Sequence, residues 1–211
     1  MKTIKLVLFI SILALCDRSH AQLIRAYGLK LGTDAANESW VYTTFSNSPS
    51  DNRWGFTVDG FVEFFNLPFF SGVAEIQYTQ KGMMEKLPVT TDAGPEGTGQ
   101  FLTIGPSVNY LSIPLLAKVR FERGNITPYL IAGPRMDFLL SKNGNGYDLV
   151  VNQFKTSEFG ATFGVGVELT SILPVGALAE FRYNPSFDDA LNNGSVKVRN
   201  RSFDFLLGVR L

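Results

Sequence analysis

The stretch SFDFLLGVRL, residues 202–211, decides the fold. Phe203, Phe205, Leu207, Val209 and Leu211 fall on one face. Ser202, Asp204, Gly208 and Arg210 fall on the other, with Leu206 the one apolar exception. A period of two is that of a β-strand with two unlike faces. A soluble sheet would turn Asp204 and Arg210 to water; a strand in a bilayer would turn its phenylalanines to lipid.

Seven further runs precede it, at 24–33, 53–65, 69–81, 108–121, 128–140, 157–169 and 175–187, and the closing run covers 199–211. Each is about 10–14 residues, against the roughly 9–11 that a tilted strand needs to cross a bilayer. The spacers alternate in length. Those after the second, fourth and sixth runs are short: NLP, ERGNIT and TSILP. The other four are long and polar, such as TDAANESWVYTTFSNSPSDN and the Gly/Pro-rich segment ending TTDAGPEGTGQFLTIGPS. Periplasmic turns, four long outer loops and both termini on the turn side form the layout of an outer-membrane barrel. Residues 40–45, WVYTTF, are read as a strand extension above the membrane, because an inserted strand pair needs another turn signal.

Charge position supports this layout. At membrane depth the runs carry Lys30; Asp59 and Glu63; Glu75 and Lys81; Lys118 and Arg120; Arg135 and Asp137; Glu168; Glu180 and Arg182; Asp204 and Arg210. Within each run they share one parity. Six runs hold two charges each, and agreement by chance has odds of roughly one in sixty on a strict period of two. The opposite parity reads Leu29/Leu31, Phe56/Val58, Ile113/Leu115, Phe163/Val165, Phe203/Phe205 and their equivalents.

Size says which face is inside. An eight-stranded barrel has an interior just wide enough to be filled by side chains. Seven acids and seven bases can pair there, and buried charge is tolerable only when paired and hydrogen-bonded. The alternative is a soluble, lipocalin-like barrel with an apolar calyx. It would crowd Phe, Leu and Ile inside and leave the loop asymmetry without a cause. Aromatic placement agrees with the membrane reading: Trp54, Tyr78, Tyr110, Phe159, Tyr183 and Phe187 lie near the loop ends. Phe64, Phe69, Phe70, Phe121 and Tyr129 lie near the turn ends, giving two interfacial girdles.

The first residues, MKTIKLVLFISILALCDRSHAQ, carry Lys2 and Lys5, an apolar run and a small-residue stop at Ser19-His20-Ala21. That reads as a secretory signal peptide, 1–21, leaving a barrel domain at 22–211. Cys16 raises a lipoprotein alternative, but bulky Leu15 precedes it where that processing prefers a small residue. Cys16 and His20 are the only cysteine and histidine, so the exported chain has neither. Disulfides, thiol chemistry, His-based catalysis and His/Cys metal sites are thereby excluded, and no cofactor is expected. Lys+Arg and Asp+Glu number 19 each, which argues against nucleic acid as a partner.

The stretches YLSIPLLAKVRF (110–121), PYLIAGPRMDFLL (128–140) and IQYTQKG (76–82) resemble the PorT-like outer-membrane β-barrel family of Gram-negative bacteria. Phe159-Gly160, Gly164-Val165-Gly166 and Glu180-Phe181-Arg182-Tyr183 match its later strands. Ser112, where an inward acid is common, and Leu211 at the close depart from its pattern. The resemblance implies an outer-membrane barrel, and its namesake implies a part in protein secretion, an associational step only.

The candidate site is therefore a lumen charge network of Lys30, Glu63, Glu75, Lys118, Arg135, Asp137, Glu180, Arg182, Asp204 and Arg210. Glu63 with Glu75 is the conceivable acid/base pair, although salt-bridged filling is the simpler reading. Gly160, Gly164 and Gly166 are read as making room for large side chains opposite. Pro114 and Pro134, each without an N–H, are expected to meet on adjoining strands and weaken or bulge the ladder there. The resulting expectation is a monomeric, eight-stranded antiparallel up-and-down barrel without enzymatic activity, acting as a structural, surface-contact or secretion-accessory protein. Its expected partners are outer-membrane lipid, barrel-assembly machinery and, through the family resemblance, secretion-system proteins. The alternative is a narrow channel or carrier for a small hydrophobic molecule.

Overall fold

The computed structural model describes residues 23–42, 51–65, 67–91, 94–121, 124–169, 175–192 and 196–211. The expected signal peptide, 1–21, with Cys16, lies outside them. The described residues form ten strands: β1 (Ile24–Tyr42), β2 (Asp51–Phe64), β3 (Phe70–Thr91), β4 (Gly94–Ile104) and β5 (Ser107–Arg120). They continue with β6 (Ile126–Asn143), β7 (Ser157–Leu169), β8 (Gly176–Pro185), β9 (Leu191–Asn192) and β10 (Val196–Arg210). One helical turn, α1 (Asp148–Val151), stands between β6 and β7.

Eight of the strands form a closed antiparallel ring, β1-β2-β3-β5-β6-β7-β8-β10. The ring shuts where β1 pairs with β10, from Gly28 opposite Arg210 to Tyr42 opposite Val196. Closure satisfies the backbone donors and acceptors that an edge strand would leave open, a requirement in lipid. The closing stretch pairs on both sides, Phe205 with Thr33 of β1 and with Phe181 of β8.

Two expected loops are strand instead. The polar residues from Thr33 to Tyr42 continue β1, because β10 offers them a ladder along the whole length. Polarity there marks wall standing in water rather than irregular chain. Residues 40–42 of the WVYTTF segment belong to this extension; 43–45 lie outside the described residues. The Gly/Pro-rich segment after the third run is a hairpin. β3 runs on to Thr91 and pairs with β4, off the ring, with Leu87 opposite Leu102. β4 leads into β5 through Gly105, whose φ of 145° suits a residue without Cβ.

The ring turns its apolar parity outward. Leu29 and Leu31 are 61% exposed, Ile76 63% and Leu207 56%, in a band that includes Phe163, Phe181, Phe203 and Phe205. Of the fourteen charges at membrane depth, thirteen are buried inside the ring and Arg210 is half-buried. Tyr110 and Tyr129 are not girdle residues: both point inward and are buried. Their parity is that of Lys118 and Arg135, and it prevails over their height in the strand.

A charge on the outer band tests this orientation. Phe205→Arg is expected to lower unfolding stability in vesicles by about 2–4 kcal/mol, as for charges at the lipid midplane. A urea titration that shows no loss would contradict lipid exposure of this face.

Candidate functional site

The inward side chains stack in layers, beginning at the turn end. There Lys118 contacts Glu168 and reaches Glu63 at 3.2 Å, while Arg120 pairs with Glu63 and donates to the Ser71 hydroxyl at 2.7 Å. Arg25 at 3.4 Å from Glu63 and Arg210 at 4.0 Å from Glu168 close this end. Above lies a belt the charge pattern did not reveal: Phe61, Val73, Leu116, Tyr129, Ile131 and Leu178 pack together inside the lumen. Lys118 and Lys30 lie over the Tyr129 and Phe61 rings, 4.1 and 4.6 Å from their centres.

The middle of the barrel is held by Arg182. Its guanidinium donates to both oxygens of Glu75, at 2.7 and 2.8 Å, and through Nε to Glu180 at 2.7 Å. Arg182 is on β8 and Glu75 on β3, four strands apart in a ring of eight, so this fork spans opposite walls. Lys30 reaches Glu75 at 2.6 Å and Glu180 at 3.1 Å, and the Tyr129 hydroxyl donates to Glu180 at 2.6 Å. Asp59 sits 3.6 Å from both Lys30 and Arg182.

Asp34 and Asp204 come next, opposite one another on β1 and β10. Thr79 donates to Asp34 at 3.2 Å; Gln77 and Ser202 donate to Asp204 at 3.0 and 3.2 Å. Lys81 pairs with Asp137 at 2.7 Å, and Arg135 holds the same carboxylate at 2.9 Å. Higher still, Tyr110 donates to Glu158, which also accepts from Asn200 at 2.8 and 3.0 Å.

An apolar cap covers the loop end. Val151 and Phe154, from the segment between β6 and β7, pack with Ala190 and Leu191 against Trp40, Met83, Val108, Tyr110 and Val198 of the wall. The Tyr147 ring stands 5.2 Å from that of Trp40. The gap among Lys30, Phe61, Val73, Glu75, Lys118, Ile131, Leu178 and Glu180 is too small for a water molecule.

Glu63 and Glu75 do not form an acid/base pair. The register sets Glu63 opposite Val73 and Phe61 opposite Glu75, and each carboxylate is claimed by its own bases. Pro114 lies opposite Arg135. The register is unchanged from there to Ala117 opposite Ala132, but the two pairs between, which include Pro134, are absent from the ladder. The β3–β5 ladder skips two pairs beside Pro114 as well. The prolines therefore open a gap in the wall without a bulge. Across the β6–β7 ladder Tyr129, Ile131 and Arg135 face Gly166, Gly164 and Gly160. A Cβ on Gly166 would collide with the Tyr129 ring.

A sequence-family model described as the outer membrane protein beta-barrel domain matches residues 20–192. The chain belongs to that family. No curated protein gives a significant sequence match. Among solved structures the barrel is similar to Ail, the attachment invasion locus protein of Yersinia pestis, crystallised with the heparin analogue sucrose octasulfate. The identity is 14%, coverage 88% of this chain and 98% of that one, and the TM-score 0.41. Neisserial surface protein A shares 17% identity over 86% of this chain and 96% of its own, with a TM-score of 0.43. The N-terminal barrel of Pseudomonas aeruginosa OprF shares 10%, covering 86% and 97%, at 0.39.

The Arg182 fork generates one expected outcome. Arg182→Met leaves Lys30 as the one base shared by Glu75, Glu180 and Asp59, and should lower stability by about 3–5 kcal/mol in urea unfolding. The double variant Arg182→Met/Glu75→Leu should regain part of the loss; a double variant no better than the single would show that the pair is not a unit.

Glu38 generates another. Beyond Leu31 the outward positions of β1 read Thr33, Ala35, Asn37 and Ser39, so Glu38 stands above the apolar band. Burial pushes its carboxyl up to about 8, with Glu158 acting in the same direction; the Trp40 indole N–H at 3.0 Å and Arg53 oppose the shift. Folded chain then keeps a proton that unfolded chain releases near its ordinary 4.5. Stability is therefore greatest below that pH and falls as pH rises to about 8. Glu38→Gln should flatten this fall in urea titrations; equal slopes for both proteins would refute the shift.

Proposed function

We propose that this chain is a non-enzymatic outer-membrane barrel whose lumen is structural filling and whose work is done by its outer loops and wall. One observation carries the reading: the interior is packed from a charge-paired base through an apolar belt to an apolar cap. A filled lumen offers neither passage nor a chamber for a substrate, and its adjoining carboxyl groups, such as Asp34 with Asp204, are sealed from solvent. The long loops face outward and the short turns face the periplasm, as loop lengths in such barrels dictate.

The PorT-like motifs around residues 110–121 and 128–140 support a secretion-accessory role, with secretion-system proteins as partners, lipid around the wall and a monomeric barrel. A strain lacking the gene, compared with its parent by secreted and surface proteomics, tests that role. Loss of a whole class of exported proteins is the expected result. An unchanged proteome would remove the secretion role and leave contact at the cell surface.

A further inference from the structure

β10 leaves the bilayer with three bases in succession on its outward face. Val209, Leu207, Phe205 and Phe203 form its lipid-facing column, and at the same period of two Arg201, Arg199 and Lys197 follow, all exposed. The upper limit of the apolar band is marked by one row across four strands. Ala35 is opposite both Trp54 and Phe203, and Phe203 is opposite Tyr183. Trp54 is 69% exposed, and the Tyr183 and Phe203 rings stack at 4.9 Å. Exposed tryptophan and tyrosine in one row belong at the headgroup level. At about 3.3 Å per residue Arg201 begins about 7 Å past that row along a tilted strand, among lipid phosphates.

The column has little local counter-charge. Arg199 meets Asp189 at 2.8 Å. Among the described residues neither Arg201 nor Lys197 has an ion-pair or hydrogen-bond partner for its side chain. The flanking positions on β1, Asn37, Ser39 and Val41, are uncharged, and Pro185 flanks Arg201 on β8. A chain with balanced total charge thus concentrates one sign in one rising column on one strand.

We propose that Arg201, Arg199 and Lys197 form a docking surface for the phosphate of an anionic lipid in the loop-side leaflet, whose acyl chains lie along Phe203, Phe205 and Phe181. Arginine suits this ligand, since its planar fork meets two phosphate oxygens at once. The aromatic column below supplies the contact that a free anion could not use. The proposal needs only the barrel in a bilayer, so it stands or falls apart from the surface and secretion roles.

The test uses the exported chain refolded in phosphatidylcholine vesicles, with energy transfer from tryptophan to dansyl-labelled lipid as the readout. Dansyl phosphatidylglycerol is compared with dansyl phosphatidylcholine. The parent should prefer the anionic lipid by about threefold or more, in line with basic residues at a charged interface. K197S/R199S/R201S should lose most of this preference. K86S/K142S/K155S, which removes the same charge from other outer positions, should keep it, and millimolar inorganic phosphate should not compete. Boiled and unboiled gel mobility verifies folding, and Arg201→Ser alone serves if the triple variant does not fold. An unchanged preference in the β10 variants would overturn the proposal, as would equal loss in the control. Full competition by inorganic phosphate or a soluble sulfated polysaccharide would assign the column to a soluble polyanion instead.

Discussion

Closing eight strands into a ring leaves a space only about two side chains wide, and that width governs the rest of the structure. An inward charge in such a space has no bulk water to fall back on. It must find its partners inside the ring, on its own strand or on another wall. Arg182 and Glu75 show what this demands: two side chains from opposite walls meet in a two-bond fork, and Glu180, Lys30, Asp59 and Tyr129 are arranged around it. Removing either partner would strand a desolvated charge, which is why the network acts as a single unit.

The same width explains the apolar belt within the lumen. Charges fill a cylinder poorly, because each needs several neighbours in fixed directions. Phe61, Val73, Leu116, Ile131 and Leu178 fill the space between the central fork and the Lys118–Glu168 layer, and the ammonium groups of Lys30 and Lys118 rest on ring faces at its two sides. The β6–β7 ladder shows the volume being balanced locally, with Tyr129, Ile131 and Arg135 each set against a glycine. The wall is less regular around Pro114 and Pro134, each without an N–H, where the ladders on both sides of β5 skip pairs, and ties between other walls, such as Lys81 with Asp137, cross the lumen there.

Strand parity made the fold and the inward set of charges legible, because a period of two assigns every residue to one face or the other. What parity cannot supply is the angle around the axis. Glu63 and Glu75 share the inward face on adjoining strands, yet the register sets them two rows apart and gives them different bases. Height alone assigns Tyr110 and Tyr129 to the girdles, whereas parity puts them with Lys118 and Arg135, and both are buried. The length of β1 and the existence of β4 were hidden for another reason. Glycine, proline and polar residues read as loop wherever strands rise into water, where the face pattern that marks a membrane strand no longer applies.

The division of labour follows from these two surfaces. The lumen of this chain is committed to holding the walls together, since every layer from Arg25 to Trp40 is occupied by side chains that hold one another. Chemical individuality then has to reside outside the ring: in the β3–β4 hairpin, in the segment carrying α1, and in the basic column of β10. The inside of an eight-stranded barrel can vary only by exchanging one packed arrangement for another. The outside can vary freely, because water and lipid both tolerate what a close-packed interior does not. On the proposed function, a barrel of this width acts as a rigid wall whose recognition elements stand at its loop-side rim.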